Sequence, residues 1–308
     1  MNLDNKNVQN ISLNKDTIVP SMNESDIQEN VIRETMPELL DILLSDRTTN
    51  KNIIWATDDY YVPGTKKFEA KAQIKPELIT GEFANIIKPR ALKTAYEQKG
   101  RTKAKAEVFT PTWVVKKQND AVDESFTNDD LETYVKRTWM EITCGEAPYM
   151  ASRYDMDTGE SISLKDRVGF VDRKLHRINT EVEDKAEWQR LVESAYKSSY
   201  GFEWSGDSLL LARENLLYTY RDYYFDKWQT EPTYGLLTEI AKIISYNVFQ
   251  MDGLKYVIPM SASYEKNYTG MDIFTGKETF EVIESKGKRV KIMNWITNKM
   301  EFFDKGIV

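Results

Sequence analysis

Trp139-Met140-Glu141-Ile142-Thr143-Cys144-Gly145-Glu146-Ala147-Pro148-Tyr149 carries the chain from a short, largely apolar strand into a turn of small residues. Small side chains let backbone N–H groups approach a ligand closely, and open parallel sheets hold ligands at such strand ends. A helix starting after the turn would add a favourable potential for an anion. The same rhythm recurs downstream. Ser199 to Trp204 and Tyr246 to Met251 read as two further strands, with helices at Leu209 to Tyr220 and Leu236 to Ile244. In the latter, Leu237, Ile240, Ala241 and Ile244 fall on one face, as a helix covering a sheet requires. Strands alternating with helices predict an α/β fold with a parallel sheet.

Outward from this centre, residues 101–260 form the main predicted domain. Residues 1–30 hold seven asparagines and no sustained apolar periodicity, which predicts a flexible N-terminal arm. Residues 31–100 read as a helical and extended segment. Within it Ile32, Met36, Leu39, Leu40, Leu43 and Leu44 recur at helical spacing, with Pro37 marking a first turn or a kink. Residues 261–308 form a C-terminal β extension, in which Thr279 to Ile283 and Val290 to Trp295 flank Lys286-Gly287-Lys288 as the arms of a β-hairpin.

Composition excludes several classes. With 41% hydrophobic and 30% charged residues the 308-residue chain reads as an ordinary globular protein. No apolar run suits a membrane span or a secretory signal, which predicts a cytoplasmic location. One cysteine, Cys144, and one histidine, His176, exclude an internal disulfide and a Cys/His zinc site. The net charge of −7 argues against coating nucleic acid by bulk charge. Between Lys88 and Lys117, however, nine Lys/Arg stand against two acids. Arg90, Lys99, Arg101, Lys103 and Lys105 are the candidate nucleic-acid contacts there, and a solvated lysine-rich face is the competing reading.

Four segments, in order, resemble the amino-methyltransferases that act on adenine in DNA. Glu107-Val108-Phe109-Thr110-Pro111-Thr112-Trp113-Val114-Val115 is similar to their F-T-P-x-x-[VL]-[VC] element. The resemblance implies that Phe109, Thr110 and Pro111 line the methionine end of S-adenosylmethionine (AdoMet); a proline turn before a helix, with Thr110 as its cap, is the alternative. Glu141 to Tyr149 resembles the D-P-x-C-G-[ST]-G-x-F loop, which implies that Glu141, Cys144 and Gly145 contact the cofactor. Glu141 stands for the family's aspartate, Ile142 for its proline and Ala147 for its second glycine, whose added methyl would narrow the turn. Tyr200-Gly201-Phe202-Glu203-Trp204, followed by Leu211-Ala212-Arg213-Glu214-Asn215-Leu216, resembles Y-G-x-[DE] and A-R-x-N-L. An acid ending a second strand binds ribose hydroxyls; Glu203 takes that place, and Asp172 in Gly169-Phe170-Val171-Asp172 is the runner-up. Asn247-Val248-Phe249-Gln250-Met251-Asp252-Gly253-Leu254 resembles N-I-x-x-G-D-x-L, which implies that Asp252 accepts from the adenine amino group while Phe249 or Trp204 stacks on the ring.

The resemblance stops before catalysis. The family's [NDS]-P-P-[YFW] segment binds the extruded target base, and this chain has nine prolines but no Pro-Pro pair. Ala147-Pro148-Tyr149 is the nearest triplet, and it falls inside the loop already described. No catalytic residue is named, and no metal is implied. The fold implied is a Rossmann-like AdoMet methyltransferase sheet with an N-terminal helical segment and a C-terminal β-hairpin. The function implied is an AdoMet-dependent DNA adenine-N6 methyltransferase subunit of a restriction-modification system, similar to the M subunits of bacteria and their phages. DNA and a second chain carrying the catalytic or specificity segment are the expected partners, with no membrane; an inactive methyltransferase-fold binding module is the alternative. His176, in a basic stretch without a matched partner, reads as structural or phosphate-facing, and Tyr218, Tyr220, Tyr223 and Tyr224 read as core.

Overall fold

Proline loses nothing at a helix's first position, because the N–H it lacks would have no partner there, and Pro37 opens helix α1 (Pro37–Leu44) in that way. The computed structural model describes residues 15–18, 36–89, 110–271 and 278–305. Leu39, Leu40, Leu43 and Leu44 bury one face of α1, as their spacing predicts. Two short antiparallel strands follow, β1 (Ser45–Asp46) and β2 (Lys51–Asn52). Ile54 then bridges Gln73, and buried Trp55 packs on Tyr60 and Phe68.

Helices α2 (Thr112–Asp123) and α3 (Leu131–Lys136) precede strand β3 (Trp139–Ile142). From there α4 (Phe170–Glu181) and α5 (Lys185–Lys197) lead to β4 (Ser199–Glu203), and α6 (Gly206–Trp228) and α7 (Tyr234–Asn247) lead to β5 (Val248–Gln250). The three strands pair in parallel in the order β3, β4, β5, with Ile142 opposite Phe202 and Glu203 opposite Gln250. Parallel pairing requires such helical crossovers, and the chain is α/β as the rhythm of its sequence predicts. Central β4 is buried from Ser199 to Phe202. Edge strand β3 leaves Met140 and Ile142 exposed.

Helix α6 is buried on nearly every face, including Tyr218, Tyr220, Tyr223 and Tyr224, as a helix between a sheet and other helices must be. Leu237, Ile240, Ala241 and Ile244 of α7 are buried. One apolar core extends from α1 through Trp55 to α4, α5, α6 and α7. A second cluster joins Tyr200, Phe202 and Phe249 of the sheet to Ile258, Val290 and Ile292.

Polar side chains strap the N-terminal segment to the sheet. Arg213, fully buried on α6, donates to the Val248 carbonyl at 2.7 Å, to the Ser45 carbonyl at 2.9 Å and to the Leu43 carbonyl. Gln250 accepts from the Ile54 amide at 2.9 Å and donates to its carbonyl at 2.8 Å. The Gly206 amide donates to the Trp55 carbonyl. A β-carbon on Gly206 would collide with the Ile54 carbonyl, so glycine is what lets α6 begin against that backbone.

The C-terminal part differs from expectation. Thr279 to Ile283 does not pair with Val290 to Trp295. Instead β6 (Ser263–Met271) pairs with β7 (Glu278–Ser285), and β8 (Lys291–Asn294) pairs with β9 (Lys299–Phe302), giving two hairpins. The Lys286-Gly287-Lys288 spacer is drawn away from a hairpin turn: the Lys288 amide donates to Ser261 Oγ, and its carbonyl accepts from the Ile258 amide. Asn294 Oδ1 accepts from the Ile296 and Thr297 amides, so the tight turn lies after β8, where an Asx-type cap stabilises it. No helix among the described residues is long and apolar enough to cross a membrane.

Candidate functional site

Because β3, β4 and β5 are parallel, their carboxyl ends lie side by side, and the segments that follow them meet there. After β3 the chain coils tightly: Thr143, Gly145 and Ala147 have φ of 49°, 54° and 63°. Such left-handed values favour glycine. Ala147, which stands where the resembled loop has its second glycine, thus takes the glycine conformation. Its methyl is buried in the apolar core. The Ala147 amide closes the coil on the Cys144 carbonyl at 2.7 Å.

Glu141 lies beneath this loop. Its carboxylate accepts from the Tyr149 amide at 3.2 Å and the Met150 amide at 3.0 Å, and burial pushes it up to about 8 against the opposing help of those two amides. Both oxygens accept from the chain itself, so Glu141 shapes the loop from inside. Buried Cys144 has its thiol pushed up by desolvation, the opposite of what a nucleophile needs.

The helix expected directly after the loop does not start there. Residues 148–169 hold turns, a short bridge and a single 3-10 turn (Leu164–Asp166), and α4 begins at Phe170. Its first amides donate to the loop, Phe170 to the Tyr149 carbonyl and Val171 to the Met150 carbonyl. The positive end of the helix is therefore met by backbone oxygens of the loop. Asp172 is corrected by the same finding: Phe170-Val171-Asp172 is helix, and the buried Asp172 carboxylate accepts from the Ser152 amide at 2.8 Å. Burial raises it, and it ends no strand.

Glu203 ends β4 and faces the loop. One oxygen accepts from the Gly145 amide at 2.9 Å and the other from the Ser205 amide at 3.1 Å. Desolvation raises this carboxyl, opposed by those amides. Trp204, 38% exposed, donates from Nε1 to the Ala56 carbonyl. Phe249 is buried and stacks on Phe202, so Trp204 alone of the two aromatic candidates has ring surface free. Asp252 lies after β5, where one oxygen accepts from the Leu254 and Lys255 amides. The structure thus brings Gly145, Glu203 and Asp252 to three adjacent strand ends.

Thr110 and Pro111 lead into α2, with Pro111 at its N-cap and no side-chain cap, so Thr110 is not the cap. Helix α2 packs on the far end of the loop: Asn119 donates to the Tyr149 and Val168 carbonyls, and the Tyr149 hydroxyl donates to Gln118. Tyr149 is thereby engaged in packing. Phe109, Arg90, Lys99, Arg101, Lys103 and Lys105 lie outside the described residues. No family model, curated protein or solved structure matches this chain.

Two residues of the third segment act differently from their neighbours in the motif. Arg213 is the strap to the N-terminal segment, and Asn215 donates to the Glu146 carbonyl and the Tyr154 hydroxyl, which ties α6 to the loop. Gln250, one position after the aromatic, gave no local signal for its role. A buried amide with both ends satisfied is recognisable only from its partners.

Proposed function

We propose that this chain is the cofactor-binding subunit of an AdoMet-dependent DNA adenine-N6 methyltransferase of the restriction-modification kind, with the catalytic segment carried by a second chain. The observation that carries this reading is the pairing of Glu203 with Gly145: an acid ending the middle parallel strand, 2.9 Å from an amide of the tight turn that ends its neighbour. A nucleoside joined to an amino acid fits that pairing. Glu203 accepts from vicinal ribose hydroxyls, and the Gly145 amide, released from Glu203, donates to a carboxylate. Hydroxyl donors replace the amide, so Glu203 exchanges partners without being left bare in a desolvated place. Asp252 then accepts from the adenine amino group, Trp204 offers a ring face, and Thr110 and Pro111 are the expected contacts for the methionine end. AdoMet, when bound, supplies the methyl group.

Two further facts support a split enzyme. The sequence has no Pro-Pro pair for a target-base segment. The outer edge of β3 has no strand partner among the described residues, and its Ile142 side chain is 68% exposed, as suits a sheet extended by another chain. The alternative, an inactive methyltransferase-fold binding module, is favoured by one observation: Glu203 and Asp252 both already accept from backbone amides.

Calorimetry of AdoMet binding to the purified chain separates these readings, with Glu203→Ala and Asp252→Ala as controls. The methyltransferase reading expects micromolar binding that each substitution weakens by at least about tenfold. A folded chain that binds no AdoMet, alone or with DNA, supports the binding module.

A further inference from the structure

Four residues of the N-terminal segment meet the strand ends one after another. Ile54 exchanges two hydrogen bonds with the Gln250 side chain, and the Trp55 carbonyl accepts from the Gly206 amide. The Ala56 carbonyl accepts from Trp204 Nε1 at 2.9 Å, and the Tyr60 hydroxyl donates to Asp207 at 2.7 Å. Trp204, Gly206 and Asp207 all lie where the chain leaves β4 for α6, directly after Glu203. The N-terminal side is held by its own bonds as well. Ala56 has φ of 51°, a left-handed value for a residue with a β-carbon, and its amide donates to the Ala70 carbonyl at 2.7 Å. Such a backbone persists only where its surroundings hold it.

Gln250 is common to both sides. It ends β5 opposite Glu203 and is buried. Its Oε1 accepts from the Ile54 amide at 2.9 Å, and its Nε2 donates to the Ile54 and Trp204 carbonyls, each at 2.8 Å. An amide nitrogen has two hydrogens, so both are used within the chain. Trp204 is thereby fixed at two points. Gln250 holds its backbone, and its indole is tied to Ala56, two residues from the Ile54 that Gln250 also holds. A ring tethered by its edge and partly exposed keeps a face for a planar partner.

We propose that Gln250 is a positioning residue of the strand-end site, locking Trp204 and residues 54–56 into one unit so that the indole meets an adenine ring in a fixed place. The identity of that ring rests on the AdoMet reading; the lock rests on the bonds above. Gln250 acts through Trp204 and touches no ligand itself. A ring set in advance loses less freedom on binding than a loose one. The lock needs an amide: leucine makes none of the three bonds, and a glutamate carboxylate turns acceptors toward two carbonyls.

Fluorine NMR of protein carrying 5-fluorotryptophan reads Trp204 by itself, its resonance picked out from the seven tryptophans by Trp204→Phe. Without ligand, Gln250→Leu is expected to move and broaden that resonance. Trp188 and Trp228, which pack together at the far end of α6, keep theirs. In the same variant AdoMet affinity measured by calorimetry falls at least about fivefold, the lower end for one base on an aromatic ring. Gln250→Leu combined with Trp204→Ala loses no more than Trp204→Ala alone, because both remove one interaction. An unmoved Trp204 resonance, shifts spread to Trp188 and Trp228, or additive losses overturn the proposal. Gln250→Glu serves where the leucine variant does not fold: its Trp204 resonance returns toward the parent position as pH falls and the side chain regains a donor hydrogen, and a displacement independent of pH counts against the lock. A parent chain that binds no AdoMet removes the cofactor reading alone, since the ligand-free spectra still decide the lock.

Discussion

The Glu203 carboxylate lies 2.9 Å from the Gly145 amide, a residue 58 positions away in the sequence, and this bond ties the turn after β3 to the end of β4. Glu203→Ala leaves the Gly145 and Ser205 amides without their acceptor. The expected loss is about 1–3 kcal/mol of stability together with at least about a tenfold loss of AdoMet affinity, one good hydrogen bond's worth. Urea unfolding and calorimetry on the same preparation check both. A variant that binds AdoMet as well as the parent removes Glu203 from the ribose role.

Glu141 sets a pH dependence whose sign follows from its raised folded value. Its carboxyl moves from 4.5 to about 8 on folding, so the folded state holds a proton that the unfolded state releases. Its contribution is fully present below pH 4.5 and is lost as pH rises toward 8. Glu203 and Asp172, also raised by burial, act in the same direction. Unfolding midpoints measured across this window should fall with pH, by at most about 1.4 kcal/mol per unit from this one group. In Glu141→Gln that part of the slope disappears; parallel curves for parent and variant contradict the assignment.

Ala147 holds φ at 63° with no exposed surface. Ala147→Gly should stay within about 1 kcal/mol of the parent, because relief of the left-handed backbone offsets the lost methyl burial of about 0.8 kcal/mol. Ala147→Val should cost about 2–4 kcal/mol, since a branched side chain is both strained there and too large for a packed site. Thermal unfolding of the two variants ranks them.

Arg213 connects three stretches of backbone from within the core. Arg213→Met keeps the bulk but leaves the Leu43, Ser45 and Val248 carbonyls without a donor. A loss of about 3–5 kcal/mol is expected, as for other buried charged groups removed from their partners. Limited proteolysis should then cut between α1 and Gln73 before it cuts the sheet. Simultaneous loss of both regions would mean that the strap is not what holds the N-terminal segment.

Periodic elements were legible because burial repeats along the chain. Leu237, Ile240, Ala241 and Ile244 announced a helix face, and the leucines after Pro37 announced α1, while its start was left between a first turn and a kink at Pro37. The candidate strand ends were legible as well: Gly145, Glu203 and Asp252 each follow an apolar strand, and parallel pairing places such residues together. Asp172 misled because Gly169-Phe170-Val171 has too few residues to separate a strand from a helix start. Two of the four described C-terminal strands were recognised, within Thr279 to Ile283 and Val290 to Trp295, and were paired wrongly with each other, since alternation marks a strand but does not name its neighbour.

By itself the sequence determined the α/β class, the tight turn after Ile142, the acid that ends the middle parallel strand and the one that follows the last, because each depends on residues a few positions apart. Only the tertiary structure decided that Glu141 turns inward under its own loop, that Gln250 binds Ile54 across 196 positions and that Arg213 reaches Leu43 across 170. A buried polar group must find its partner wherever folding brings one, and local pattern carries no record of a partner so far along the chain.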